Sequence, residues 1–122
     1  MVAKRETRIA YIDAVPGMGR VLIIIFRGGW IDAIASCETT KAEGIIEWFR
    51  SSGYLDELKA FAAGGGLLAM QGVSELEEWL AERGIRREEL PARNLRQASV
   101  IMEGLREYHR SRGRDLGGGL TS

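Results

Sequence analysis

One cysteine and one histidine are present in a chain of 122 residues, so a Cys–His nucleophilic pair could only be Cys37 with His109. Cys37 stands at the end of a β-rich run and just before a helical pattern, where backbone N–H groups would stabilise a thiolate. No second cysteine follows at a Cys-x-x-Cys spacing, and His109 belongs to a distant helical segment. A Cys–His pair is therefore a weak expectation, and a small buried apolar residue is the plainer reading of Cys37. A single cysteine also rules out an intramolecular disulfide and any cysteine-based zinc site.

The acids nearest the β-rich part are Asp13, Asp32, Glu38 and Glu43. Carboxylates on adjacent strands can hold Mg²⁺ for phosphodiester chemistry. Glu38-Thr39-Thr40-Lys41 has the wrong spacing for a Glu-x-Lys element, so charges guarding strand edges explain these residues better. Pro16-Gly17-Met18-Gly19-Arg20 could offer backbone amides to a phosphate. It lacks the strand–loop–helix setting and the Lys-Ser/Thr pair of a phosphate loop, and reads as a hairpin turn. Gly64-Gly65-Gly66, followed by Leu67 and Leu68, is entropically costly and marks a backbone that bends or approaches something closely. With Cys37 it defines a candidate small-ligand pocket, although a plain connecting loop is the simpler account. No cofactor is expected.

The basic side is arginine-rich: of 17 basic residues only Lys4, Lys41 and Lys59 are lysine. Arg83, Arg86, Arg87, Arg93 and Arg96 form the best candidate surface for nucleic acid. Glu82, Glu88 and Glu89 offset much of that charge, and Pro91 interrupts the segment. The formal net charge is zero, so no overall field draws the protein to polyanions.

Elements to position these residues follow from hydrophobic patterning. Val21-Leu22-Ile23-Ile24-Ile25-Phe26 has no polar alternation, which requires a strand covered on both faces. Exposing one face of three such side chains would forfeit about 5–9 kcal/mol, as much as a small domain's whole stability. Strands are expected over 8–15 and 30–37 on either side of it, joined by the turns at 16–19 and 27–29. Arg8, Asp13 and Asp32 would then lie on the two outer strands. Helical spacing takes over from residue 39: Thr40–Glu43 and Ser74–Glu77 read as capping boxes, with Gly53 and Gly84 as stops. A helix is expected over 54–63, and a longer one from about Pro91 to Ser111. Leu95, Ala98, Met102, Leu105 and His109 give the latter a seam suited to another helix.

The expected fold class is α+β, an N-terminal three-stranded antiparallel meander followed by about four helices. The expected organisation is a flexible arm at 1–7, one domain over 8–112 and a disordered tail over 113–122. No apolar run approaches the length of a membrane span, and no apolar segment follows the charged N-terminus, so a cytoplasmic protein is expected. Two open sheet edges, together with the Trp48-Phe49 pair, favour a homodimer, while tryptophans in general (Trp30, Trp48 and Trp79 here) are most often core or interface anchors. The leading expectation for function is a homo-oligomeric interaction or accessory module with no catalytic site of its own. A nucleic-acid-binding protein using 83–96 and the C-terminal end is the first alternative, and a ligand-binding protein or enzyme with a pocket near Cys37 and Gly64–Gly66 is the second.

Overall fold

The computed structural model describes residues 7–121, with side chains described as far as Arg112. Strands β1 (Arg8–Val15), β2 (Arg20–Arg27) and β3 (Trp30–Glu38) form the expected antiparallel meander. After them come α1 (Ala42–Ser52), a 3₁₀ turn (Leu55–Glu57), β4 (Leu58–Ala63), α2 (Gly65–Leu68), α3 (Val73–Ala81), β5 (Arg86–Arg87) and α4 (Ala92–Thr121). The sheet has five strands in the order β3-β2-β1-β4-β5, and β4 runs parallel to β1, as β5 does to β4. The protein is thus α+β with a mixed sheet, not a purely antiparallel one.

The largest departure from expectation is at 54–63, which is a 3₁₀ turn and a strand rather than a helix. Leu58, Phe61 and Ala62 satisfy a helical spacing, and alanine favours helix. The free edge of β1 decides otherwise. Against it the consecutive residues Ala60, Phe61 and Ala62 all become buried, because alternate side chains enter opposite layers. Phe61 joins the core beneath α1 and α3, and Ala62 joins the core beneath α4. As a result β1, not β2, is the middle strand, so Arg8 and Asp13 do not guard an edge.

Every residue from Val21 to Phe26 is at most 1% exposed. Val21, Ile23 and Ile25 pack with Ile45 and Phe49 of α1 and with Leu76 and Leu80 of α3. Leu22, Ile24 and Phe26 pack with Tyr11, Val15, Leu90 and Ala98, flanked by Ile101, Met102 and Leu105 of α4. Both covers come from within one chain, so sealing this strand requires no second copy. The seam of α4 meets the sheet rather than another helix. Its first turn is fixed by Asn94, a buried polar residue whose Nδ2 donates to the Gly28 carbonyl at 3.1 Å.

Neither expected capping box forms a side-chain cap. Helix α1 begins at Ala42 behind Lys41, whose N–H donates to Thr39 Oγ1 at 3.2 Å, and α3 begins at Val73, which places Ser74 already inside its first turn. Gly53 does terminate α1, at φ +81°. Of the expected arm and tail, residues 1–6 and 122 lie outside the described residues. Between 113 and 121 only the helical course of the backbone is described.

Candidate functional site

The parallel strands β1 and β4 end side by side, and Asp13 lies at that end. Asp13 and Tyr11 share the α4 side of β1, two residues apart, as strand periodicity requires. The Tyr11 hydroxyl donates to Asp13 Oδ2 at 3.0 Å, and the Leu67 N–H donates to Asp13 Oδ1 at 3.1 Å. Burial, reinforced by the Asp13 charge, pushes the Tyr11 hydroxyl well above its ordinary pKa, so it is a donor throughout the neutral range. The triple glycine makes this arrangement sterically possible. A Cβ on Gly64 would overlap the Asp13 carboxylate, and one on Gly66 would lie 2.9 Å from Asp13 Oδ1 and 3.0 Å from the Ala14 carbonyl oxygen. Close approach is therefore what Gly64 and Gly66 supply, whereas Gly65 faces open space.

A cavity of about 650 Å³ opens beside this pair, with Tyr11, Ala62 and Ala63 of the sheet, Leu68 of α2, and Leu90 and Leu95 among its walls. Arg87, Glu88 and Glu89 also line it, on β5 and the loop that leads to α4. In a sheet with parallel strands, the carboxyl ends of the strands are where ligands generally bind. The chemistry available here is a shielded hydroxyl, apolar walls and carboxylates.

The candidate pocket of Cys37 with Gly64–Gly66 divides into two places. The glycines adjoin the cavity through Asp13, Ala63 and Leu68. Cys37 lies on β3 opposite Val21 of β2, on the α1 side of the sheet. Burial pushes its thiol pKa up, partly opposed by the nearby Arg20 charge, so the local environment disfavours the thiolate instead of stabilising it. His109 is on α4 with its ring edge-on to Tyr108 at 5.3 Å.

The other acids are dispersed. Asp32, displaced by a bulge between the Ile25 and Phe26 pairings, receives Arg8 Nε at 2.8 Å and Arg27 Nε at 3.2 Å, at the opposite end of β1 from Asp13. Glu38 pairs with Arg20 at 3.5 Å, and Glu43 sits in the first turn of α1. Among the described residues no three of His, Cys, Asp and Glu come together in a way that could hold a metal ion.

The five candidate arginines do not share one surface role. Arg83 lies over the Trp79 ring at 3.8 Å and donates to the Trp79 carbonyl at 2.8 Å. Arg87 binds Glu77 at 3.0 Å, and the Arg93 guanidinium rests against Gly29. Arg86 and Arg96 are exposed. Of the tryptophans, Trp48 stacks on Tyr54 at 6.2 Å with rings 9° from parallel, so its side of α1 is occupied within the chain. Trp30 is 70% exposed on β3.

Sequence reasoning missed Tyr11, Leu68, Glu88, Glu89 and Leu95 as a group. The Tyr11-Ile12-Asp13 alternation was a usable signal for the first of these, since residues two apart on a strand share a face. The rest depend on β4 and β5, which sequence periodicity did not reveal. No helix among the described residues is long and apolar enough to cross a membrane. In comparisons with known proteins, no family model matches the chain and no curated protein matches it.

Proposed function

We propose that this protein is a homodimeric interaction module, without a catalytic site of its own, that associates through β3. The observation that carries this reading is the character of that strand. β3 is an edge of the sheet, and Trp30, Ile31 and Ile34 are its exposed large apolar residues, with Ile34 55% exposed. An edge strand of nine residues with an apolar surface is the feature monomeric proteins usually blunt with charge or proline. Here its one interior acid, Asp32, is turned inward to Arg8 and Arg27. The opposite edge, β5, has only Arg86 and Arg87 to offer.

The charges along this edge are compatible with a second copy. Antiparallel pairing about Ile34 sets Asp32 opposite Ser36 and Trp30 opposite Glu38, so no acid faces an acid. Light scattering on the eluting peak is the test, and a mass about twice 13.5 kDa is expected. Ile34→Lys should give the monomer while leaving the melting temperature of the dissociated chain unchanged, since Ile34 contributes little to the core. A wild-type protein that stays monomeric at concentrations of hundreds of micromolar would overturn the reading.

A further inference from the structure

The geometry points to the cavity between Tyr11 and the β5–α4 loop as a binding site for a small organic cation, an aryl or alkyl amine. Three features converge there. The first is volume: about 650 Å³, in the range of small-molecule sites. The second is the nature of the walls. Leu68 and Leu95 are 48% and 45% exposed, and with Ala62, Ala63 and Leu90 they offer apolar surface to a hydrophobic body. Tyr11 adds an aromatic ring, and its hydroxyl, whose proton is already committed to Asp13, has only acceptor capacity left for a ligand.

The third feature is charge. Glu88 and Glu89 line the cavity, and Asp13 stands behind Tyr11. Among the described residues the one cationic side chain in the lining, Arg87, is engaged by Glu77 at 3.0 Å. The charge balance around the opening is therefore negative, and it favours an ammonium at the Glu88–Glu89 rim with the apolar part directed inward. An anionic ligand of the same shape would meet like charge. This site is independent of β3, so it stands or falls apart from dimerisation.

The test uses three probes with one ring and different charge: phenethylamine, 2-phenylethanol and 3-phenylpropionate, each titrated into isotopically labelled full-length protein and followed by amide shifts. The expected result is saturable shifts from phenethylamine at Tyr11, Ala62, Ala63, Leu68 and Leu95, weaker ones from the alcohol and none from the acid. Glu88→Gln together with Glu89→Gln should weaken the amine about three- to tenfold and leave the alcohol unchanged. Both positions are exposed, so these variants should fold, and a native-like spectrum verifies that they do. The inference is overturned if the acid or the alcohol binds as tightly as the amine, if the amine shifts map elsewhere, or if none saturates by about 10 mM, which is weak even for a fragment-sized ligand.

Discussion

Asp13 and Leu67 are 54 residues apart in sequence, yet the Leu67 backbone N–H donates to Asp13 Oδ1 at 3.1 Å. The bond ties the middle strand of the sheet to the segment that leaves β4, and the other carboxylate oxygen takes the Tyr11 hydroxyl. Removing the carboxylate would leave the buried Tyr11 hydroxyl without its acceptor and the Leu67 N–H with only the Gly64 carbonyl, at 3.1 Å. Asp13→Ala should therefore cost about 1–3 kcal/mol, read as a lower urea midpoint at unchanged slope. Asp13→Asn keeps an acceptor oxygen for Leu67 and should lose less than half as much.

Tyr11 makes stability depend on alkaline pH. Its pKa in the folded protein lies above the ordinary 10.0, through burial first and the Asp13 charge second. Above pH 10 the unfolded chain gives up this proton while the folded one keeps it, so the unfolded state binds fewer protons and stability falls as pH rises. The contribution is fully present below pH 10 and is lost on the way to the folded pKa. Unfolding free energy measured from pH 8 to pH 11 should decline, and Tyr11→Phe should flatten the part of that decline due to this hydroxyl.

The three consecutive glycines should respond differently to alanine. Gly64→Ala forces a methyl group into the Asp13 carboxylate, and Gly66→Ala crowds the Ala14 carbonyl. Each should destabilise by about 1–3 kcal/mol. Gly65 has open space around it and no left-handed backbone requirement. Gly65→Ala should be neutral or stabilising by up to about 1 kcal/mol, since it restricts the unfolded chain. Thermal melts of the three variants check the ordering.

Cys37 should be a slow thiol. Burial raises its pKa and the nearby Arg20 only partly opposes this, so the thiolate fraction at pH 7.5 is below that of an ordinary cysteine. Alkylation of the native protein should proceed several-fold more slowly than that of the urea-unfolded chain. Arg20→Gln should slow it further, because it removes the opposing charge.

Much of this fold was legible in the amino-acid order where structure is local. The Val21–Phe26 run demanded cover on two sides, and the turns at 16–19 and 27–29 fixed the meander around it. What failed was non-local. Leu58–Ala63 fits a helical spacing on its own, and only the free edge of β1 makes it a strand. Arg86–Arg87 is two residues long and carries no periodic signal. The candidate site inherits the same division: Asp13 and Gly64–Gly66 stood out by residue type, but their contact depends on β4 lying beside β1. Glu88 and Glu89 first read as charge that offsets the arginines, and they join the cavity because β5 places their loop over it.

The position of β4 also fixes an order of events as the chain is made. The hairpins of β1, β2 and β3 close through near neighbours, whereas the other flank of β1 waits for residues roughly fifty positions later. Until Leu58–Ala63 emerges from the ribosome, the nascent meander has a bare inner rim, with α1 as the one partial cover for one greasy side and nothing over the other. A chain stopped after Ser52 should therefore clump instead of folding, and the slowest step in refolding should be the arrival of β4.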